Sequence, residues 1–345
     1  MILTPDPDHM TGYTRRDTGS FRYEVFGGVL HSDLPLPGLR PAPPSTRQPD
    51  WTFRVSVHSL ESEGDVRLGT EHLVPGLDAE LYSQPDGAYR LRYVGRGIGD
   101  FRVSADGRRI EWSPGDDPPV AHLRWILLGR VMSLALYRAG LLCLHASGVE
   151  AGEGVICFVG PKHYGKSTLA AACVAAGAVL VGDDVVPIEC GTAVRARPGV
   201  ATVRLWPDAV TRFATQCSPV DGKVAIDGWP DHRVMRSAAP LVAVYVLRPV
   251  ARVLAPDEPA RATPLSQLHA FKALTRHSTI TPLLDARHSA LMLSRAAAIA
   301  REVPVYNLEV VRDLDAAADV AAWLLARHGG PAARPDPLAP EVRCA

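Results

Sequence analysis

Trp51, Phe53, Val55 and Val57 alternate with Thr52, Arg54 and Ser56, the period of a strand with one buried face. Tyr89, Leu91 and Tyr93 repeat the alternation after an Asp86-Gly87 turn. Phe101 and Val103, then Ile110 and Trp112, flank Ala105-Asp106-Gly107-Arg108, which predicts a hairpin. A strand-like run over 21–29 and a Pro-rich connector over 34–49 precede them. Residues 20–115 thus predict a small, largely antiparallel β domain, and nothing in it carries a chemical signature.

The pattern changes after Pro118-Pro119. Leu123, Leu127, Val131 and Leu134 fall at helical spacing, and Gly140 is a helix stop. A strand over 141–149, a turn over 151–154 and a fully apolar strand over 155–159 follow. Next come a Gly-bounded loop, an Ala-rich helix over 167–176 ended by Gly177, and a third strand from Val179. Further on, a buried-type strand is expected over 241–247, a helix marked by Leu265, Leu268, Phe271 and Leu274, a strand over 305–311 and a helix over 314–327. There is no internal repeat. The expected organisation is a loose arm over 1–18, a β-rich domain over 19–118, an α/β domain over 119–328 and a disordered Pro-rich tail over 329–345.

Charge narrows the function. Lys+Arg and Asp+Glu are both 37 in a chain of 345 residues, so the formal net charge is zero, which argues against a general nucleic-acid partner. The basic residues are lopsided, 4 lysines (Lys162, Lys166, Lys223, Lys272) to 33 arginines. A lysine kept in such a chain is expected where arginine cannot replace it. The six cysteines show no C-x-x-C pair and read as small buried hydrophobes in a reducing compartment. The start, MILTPDPDHM, lacks the pattern of a signal peptide, and the longest apolar stretch carries Arg130 and Arg138, so no membrane span is expected. The expected location is cytoplasmic.

Gly160-Pro161-Lys162-His163-Tyr164-Gly165-Lys166-Ser167 satisfies G-x-x-x-x-G-K-[ST], with an apolar strand entering and a helix leaving. Gly160 and Gly165 permit backbone angles that expose successive N–H groups to phosphate oxygens, and the helix N-terminus, with Thr168 in its first turn, adds its dipole. Lys166 is a flexible point charge able to reach the β- and γ-phosphates, and the Ser167 hydroxyl is placed to ligate Mg²⁺. The interior Pro161, Lys162, His163 and Tyr164 are bulkier than usual.

Asp183 and Asp184 end the strand after the loop helix, where a carboxylate can hold Mg²⁺. Adjacent residues face different ways, so one aspartate meets the metal while the other faces an acceptor hydroxyl as general base. His145, on the strand paired before the loop strand, is brought near the pair, either as an ordinary core histidine or as a group that tunes an aspartate.

These three pieces, in this order, resemble the HPr kinase/phosphorylase family of P-loop serine kinases, related in fold to phosphoenolpyruvate carboxykinase. The resemblance implies a P-loop kinase core of that α/β (α+β) type behind the β domain, with ATP-dependent transfer to a serine hydroxyl. It implies Asp183 as base assisted by His145, with Ser167 and Asp184 near Mg²⁺. The likeness extends to a shorter branch that includes lasso-peptide kinases. Arg204-Leu205-Trp206-Pro207-Asp208 matches an R-L-W-P-D run of that branch, and Lys223 a later lysine. No E-I-R-G-type stretch follows the aspartates, so phosphorolysis and HPr as substrate are not carried over. HPr kinases assemble as hexamers, so a homo-oligomer is compatible, but no interface signal is legible here.

The expected activity is a Mg²⁺/ATP-dependent kinase for a hydroxyl of a peptide or small-protein acceptor, such as a lasso precursor. Two readings stay open beside it: a small-metabolite kinase of the same fold, and a nucleotide-binding scaffold that transfers nothing.

Overall fold

The computed structural model of the protein describes residues 19–118, 120–213, 223–227, 229–251 and 258–330. The arm over 1–18, the tail from 331, Cys217 and Cys344 lie outside the described residues.

The first third of the chain forms one eight-stranded sheet, and the described residues make a mixed α/β fold. Its strands are β1 (Phe21–Val25), β2 (Gly28–Ser32), β3 (Trp51–Val55), β4 (Val66–Val74), β5 (Leu77–Ser83), β6 (Tyr89–Val94), β7 (Gly99–Val103) and β8 (Arg109–Ser113), in the order β1-β2-β3-β8-β7-β6-β5-β4. Pairing is antiparallel except for β2–β3 and β3–β8, which are parallel. The expected run over 21–29 is two strands rather than one. Phe26 and Gly27 both take positive φ (50° and 73°), the conformation of a tight hairpin turn. The hairpin β4–β5 was not legible, because β4 has no buried position to give it a period.

A helical segment follows: α1 (Val120–Ile126), a wide turn over Leu127–Val131, and α2 (Met132–Arg138). Gly129 leaves helical geometry inside that turn (ψ −113°). Gly140, at φ 85°, stops the segment as expected.

The second sheet has nine strands. β9 (Leu142–Leu144), β10 (Ala146–Ala151), β11 (Gly154–Val159), α3 (Lys166–Ala175), β12 (Val179–Gly182), β13 (Val186–Cys190) and β14 (Val194–Ala196) come first. A two-stranded ribbon, β15 (Val203–Leu205) and β16 (Val224–Ile226), flanks α4 (Pro207–Phe213). β17 (Ala239–Val250), β18 (Ala260–Pro264), α5 (Gln267–Arg276), α6 (Ala286–Glu302), β19 (Val305–Val311) and α7 (Ala316–Arg327) complete the chain. β11, β17 and β19 run parallel, and β10 lies antiparallel between β11 and β12.

The expected strand over 141–149 breaks at His145. β9 pairs with β13, whereas β10 pairs with β11 and β12. His145 sits where the chain changes neighbours, and its N–H donates to the His277 carbonyl at 2.7 Å.

Alternation along β11 explains the layering. Val155, Cys157 and Val159 join one buried cluster, and Ile156 and Phe158 join another. The first cluster also holds Phe53, Phe101 and Ile110 of the first sheet with Leu127 and Met132, so one core runs through both sheets. The second packs the Ala-rich α3 and α7 on the opposite face. The four described cysteines are free thiols, and Cys143, Cys157 and Cys173 are buried. Burial pushes the Cys143 and Cys157 thiols up to about 12, which makes them inert packing groups.

Candidate functional site

The loop after β11 and the end of β12 meet at the mouth of a cavity of about 480 Å³. Gly160 and Gly165 take φ of 153° and 90°, values that glycine adopts without strain. Gly165 precedes the first residue of α3, so the first-turn N–H groups of this helix have no intrahelical acceptor. His163 also has a left-handed φ of 68°. Its ring stacks on Trp206 with centroids 5.7 Å apart, and both residues line the cavity.

Lys166 is buried, and its Nζ donates to the carbonyls of Gly160 (2.8 Å) and Pro161 (3.2 Å). Burial lowers its pKa, opposed by Asp183 and Asp184. Lys162, Tyr164, Ser167, Thr168 and Lys223 also line the cavity. The loop residues from Lys162 to Thr168, and Lys223, therefore converge there, whereas Gly160 and Pro161 do not line it. Pro161 borders a second cavity on the other side of the loop.

The two aspartates part company. Asp183 Oδ1 accepts from Ser147 Oγ (2.5 Å) and from Ser167 Oγ (2.9 Å), and its Oδ2 accepts from the Arg204 N–H (3.0 Å). Burial and the neighbouring Asp184 charge raise the Asp183 pKa, against the pull of the Ser147 and Arg204 hydrogen bonds. Asp184 takes a left-handed φ of 69°, which turns its carboxylate toward the Arg204 guanidinium, with which it forms an ion pair. Burial works to raise its pKa, but Arg204, His145 and Lys223 outweigh that and hold it low. Asp184 therefore stays ionised at neutral pH and lines the loop cavity.

His145 Nδ1 lies 3.1 Å from the Asp184 carbonyl. A carbonyl only accepts, so the proton sits on Nδ1. Burial, then repulsion by Lys166, lowers the His145 pKa to about 4, so the ring is neutral and Nε2 keeps its lone pair. The histidine thus supports the turn that holds Asp184. It was expected to assist Asp183, and that contact is replaced because the chain break at His145 brings it against the turn backbone instead.

Asp184 was expected beside the metal serine and Asp183 at the acceptor hydroxyl. Ser167, the serine placed for the metal, hydrogen-bonds Asp183 and not Asp184. The direction of two adjacent side chains depends on the turn φ, which the sequence does not reveal.

Sequence reasoning missed Ser147 and Trp125. Ser147 follows His145 by two residues and lies on β10, buried on both faces. Trp125 lies between two guanidiniums, 3.8 Å from Arg124 and 4.9 Å from Arg204. Arg124 is itself paired with Asp227 in a buried ion pair of 3.0 Å. Arg204, whose Trp125 contact and Asp184 pair are now explicit, belongs to the site.

Among the described residues no group of three or more His, Cys, Asp or Glu could hold a metal ion. The oxygen pair of Ser167 and Asp183 suits Mg²⁺, which keeps most of its waters and takes one or two protein oxygens plus substrate phosphates. Among the described residues no helix is long and apolar enough to cross a membrane.

No family model matches the chain, and no curated protein matches it. Among solved structures it is similar to the HPr(Ser) kinase/phosphatase from Coxiella burnetii, at 12% identity and a TM-score of 0.29, over 54% of this chain and 95% of that chain. A likeness of that size assigns no activity.

Proposed function

We propose that the protein is a Mg²⁺/ATP-dependent kinase of the HPr kinase-like type that phosphorylates a hydroxyl of a peptide or small protein. The observation that carries the reading is the junction of Ser167 with Asp183 (2.9 Å), with ionised Asp184 lining the cavity that Ser167 and Lys166 also line. A nucleotide scaffold needs the loop and the metal-side oxygens. It does not need a second carboxylate held ionised at the cavity wall.

In this reading the loop N–H groups and Lys166 bind the phosphates, and Ser167 with Asp183 would hold the metal. An ion held there would supply positive charge to offset the phosphate oxygens. Asp184 receives the hydroxyl proton as the acceptor oxygen bonds to the γ-phosphorus and the bond from that phosphorus to the ADP oxygen breaks. Arg204 keeps Asp184 ionised, and neutral His145 fixes its turn. The Trp125 ring, 4.9 Å from the Arg204 guanidinium, helps to hold it.

Transfer of γ-labelled phosphate tests this. Synthetic serine peptides, including peptides encoded beside the gene, HPr and a metabolite extract are offered in parallel with Mg²⁺ and ATP. Label in a peptide supports the proposal. Label in the metabolite fraction alone replaces the peptide with a small acceptor. Bound ATP with no labelled product removes the kinase reading.

A further inference from the structure

A cavity of about 360 Å³ lies across the loop from the one described above. β17 separates the two by its alternation. Leu247 and Pro249 line the nucleotide side, whereas Val246 and Arg248 line this one, and Tyr164 of the loop borders both. α5 sends His269, Lys272 and Arg276 into its wall, at i, i+3 and i+7, which is one helix face.

The charge of this wall is unbalanced. Among the described lining residues there is no carboxylate. Among the described residues Arg248 reaches only the Asn307 side-chain oxygen, at 3.4 Å. His269 meets Ser266 Oγ at 2.8 Å. Lys272 and Arg276 have no hydrogen-bond or ion-pair partner among the described residues. A helix C-terminus accounts for Arg276, in the last turn of α5, but not for Lys272 or for Arg248 on a strand. In a chain of zero net charge, such a cluster repels itself unless an anion joins it.

The lysines give an independent sign. All 4 lysines line one of these two cavities: Lys162, Lys166 and Lys223 the nucleotide side, Lys272 this side. The 33 arginines are spread along the chain, whereas the compact ammonium has been kept only around the loop.

We propose that this second cavity is an anion subsite that receives a carboxylate or phosphate carried by the phosphoryl acceptor, through Arg248, Lys272 and Arg276. The identity of its ligand as the acceptor rests on the phosphotransfer reading above. The anion binding itself does not.

The test uses the full chain saturated with Mg²⁺ and a non-hydrolysable ATP analogue, so that the loop is filled. Inorganic phosphate and malonate are titrated separately by calorimetry into wild type, Lys272→Gln and Arg276→Gln. Saturable binding is expected, with Kd rising about tenfold or more in each variant for the lost charge-assisted contact, and the affinity for the ATP analogue unchanged. Tighter phosphate than malonate assigns a phosphorylated acceptor, and the reverse a carboxylate. No saturable binding of either anion, or equal binding in the variants, overturns the subsite. If labelled acceptor forms with a KM that neither variant raises, the subsite falls while the kinase stands. If the variants lose anion binding but no acceptor is ever labelled, the kinase falls and only the anion site remains.

Discussion

Ser167 Oγ donates to Asp183 Oδ1 across 2.9 Å, tying the first turn of α3 to the end of β12. The same carboxylate takes the Ser147 hydroxyl at 2.5 Å and the Arg204 N–H at 3.0 Å, so one half-buried group holds four segments in register. A carboxylate so constrained suits a fixed metal-side ligand. Asp184, one residue on, points elsewhere because of its left-handed turn.

Trp206 is 43% exposed, and its ring stacks on His163 of the loop. Trp206→Ala should leave stability unchanged and weaken nucleotide binding by about 2- to 10-fold, the worth of one aromatic stack. Fluorescent-nucleotide titration alongside thermal unfolding checks both. Unchanged nucleotide affinity would mean that the stack does not hold the loop.

His277 predicts a pH effect on stability. Burial, then Lys166, Arg276, His145 and Arg248, lowers its pKa to about 4 from 6.5. Between those values the unfolded chain binds a proton that the folded chain does not, so stability falls as pH drops through the window. His277→Gln should lose less stability than wild type between pH 7 and 4, by on the order of 1–2 kcal/mol once partial exposure is discounted. Urea unfolding at several pH values measures the difference. Parallel profiles for the two proteins would refute the assignment.

Arg90 is 2% exposed in the first sheet and pairs with Asp65 (2.7 Å) and Asp100 (2.6 Å). Arg90→Leu leaves both carboxylates without their cation, at a cost of about 3–5 kcal/mol. Because one core joins both sheets, the denaturation midpoint of the whole chain should move. A midpoint within error of wild type would show that the network is not structural.

Much of this was legible in the sequence. The loop, the aspartate pair, α3 and Gly140 were read from local signals: glycines at fixed offsets, apolar runs and a helix stop. Those signals are short-range, and they hold. The break at His145 was not legible, since 141–149 is strand-like throughout apart from His145, Ser147 and Gly148, and only the long-range pairing of β9 with β13 divides it. β4 was missed because nothing along it is buried. Arg204 stands out in the sequence only through the R-L-W-P-D match until the fold brings Trp125 and Asp184 to it from distant parts of the chain.

The measurement that tests the central claim most directly compares Asp183→Asn with Asp184→Asn in two assays, Mg²⁺-dependent ATP binding and transfer of γ-labelled phosphate. Asp183→Asn should lose the Mg²⁺ dependence of binding. Asp184→Asn should bind Mg²⁺/ATP as wild type does and lose transfer by about 100-fold or more, the scale of general-base catalysis. Full transfer by Asp184→Asn, or the two phenotypes exchanged, would contradict the account.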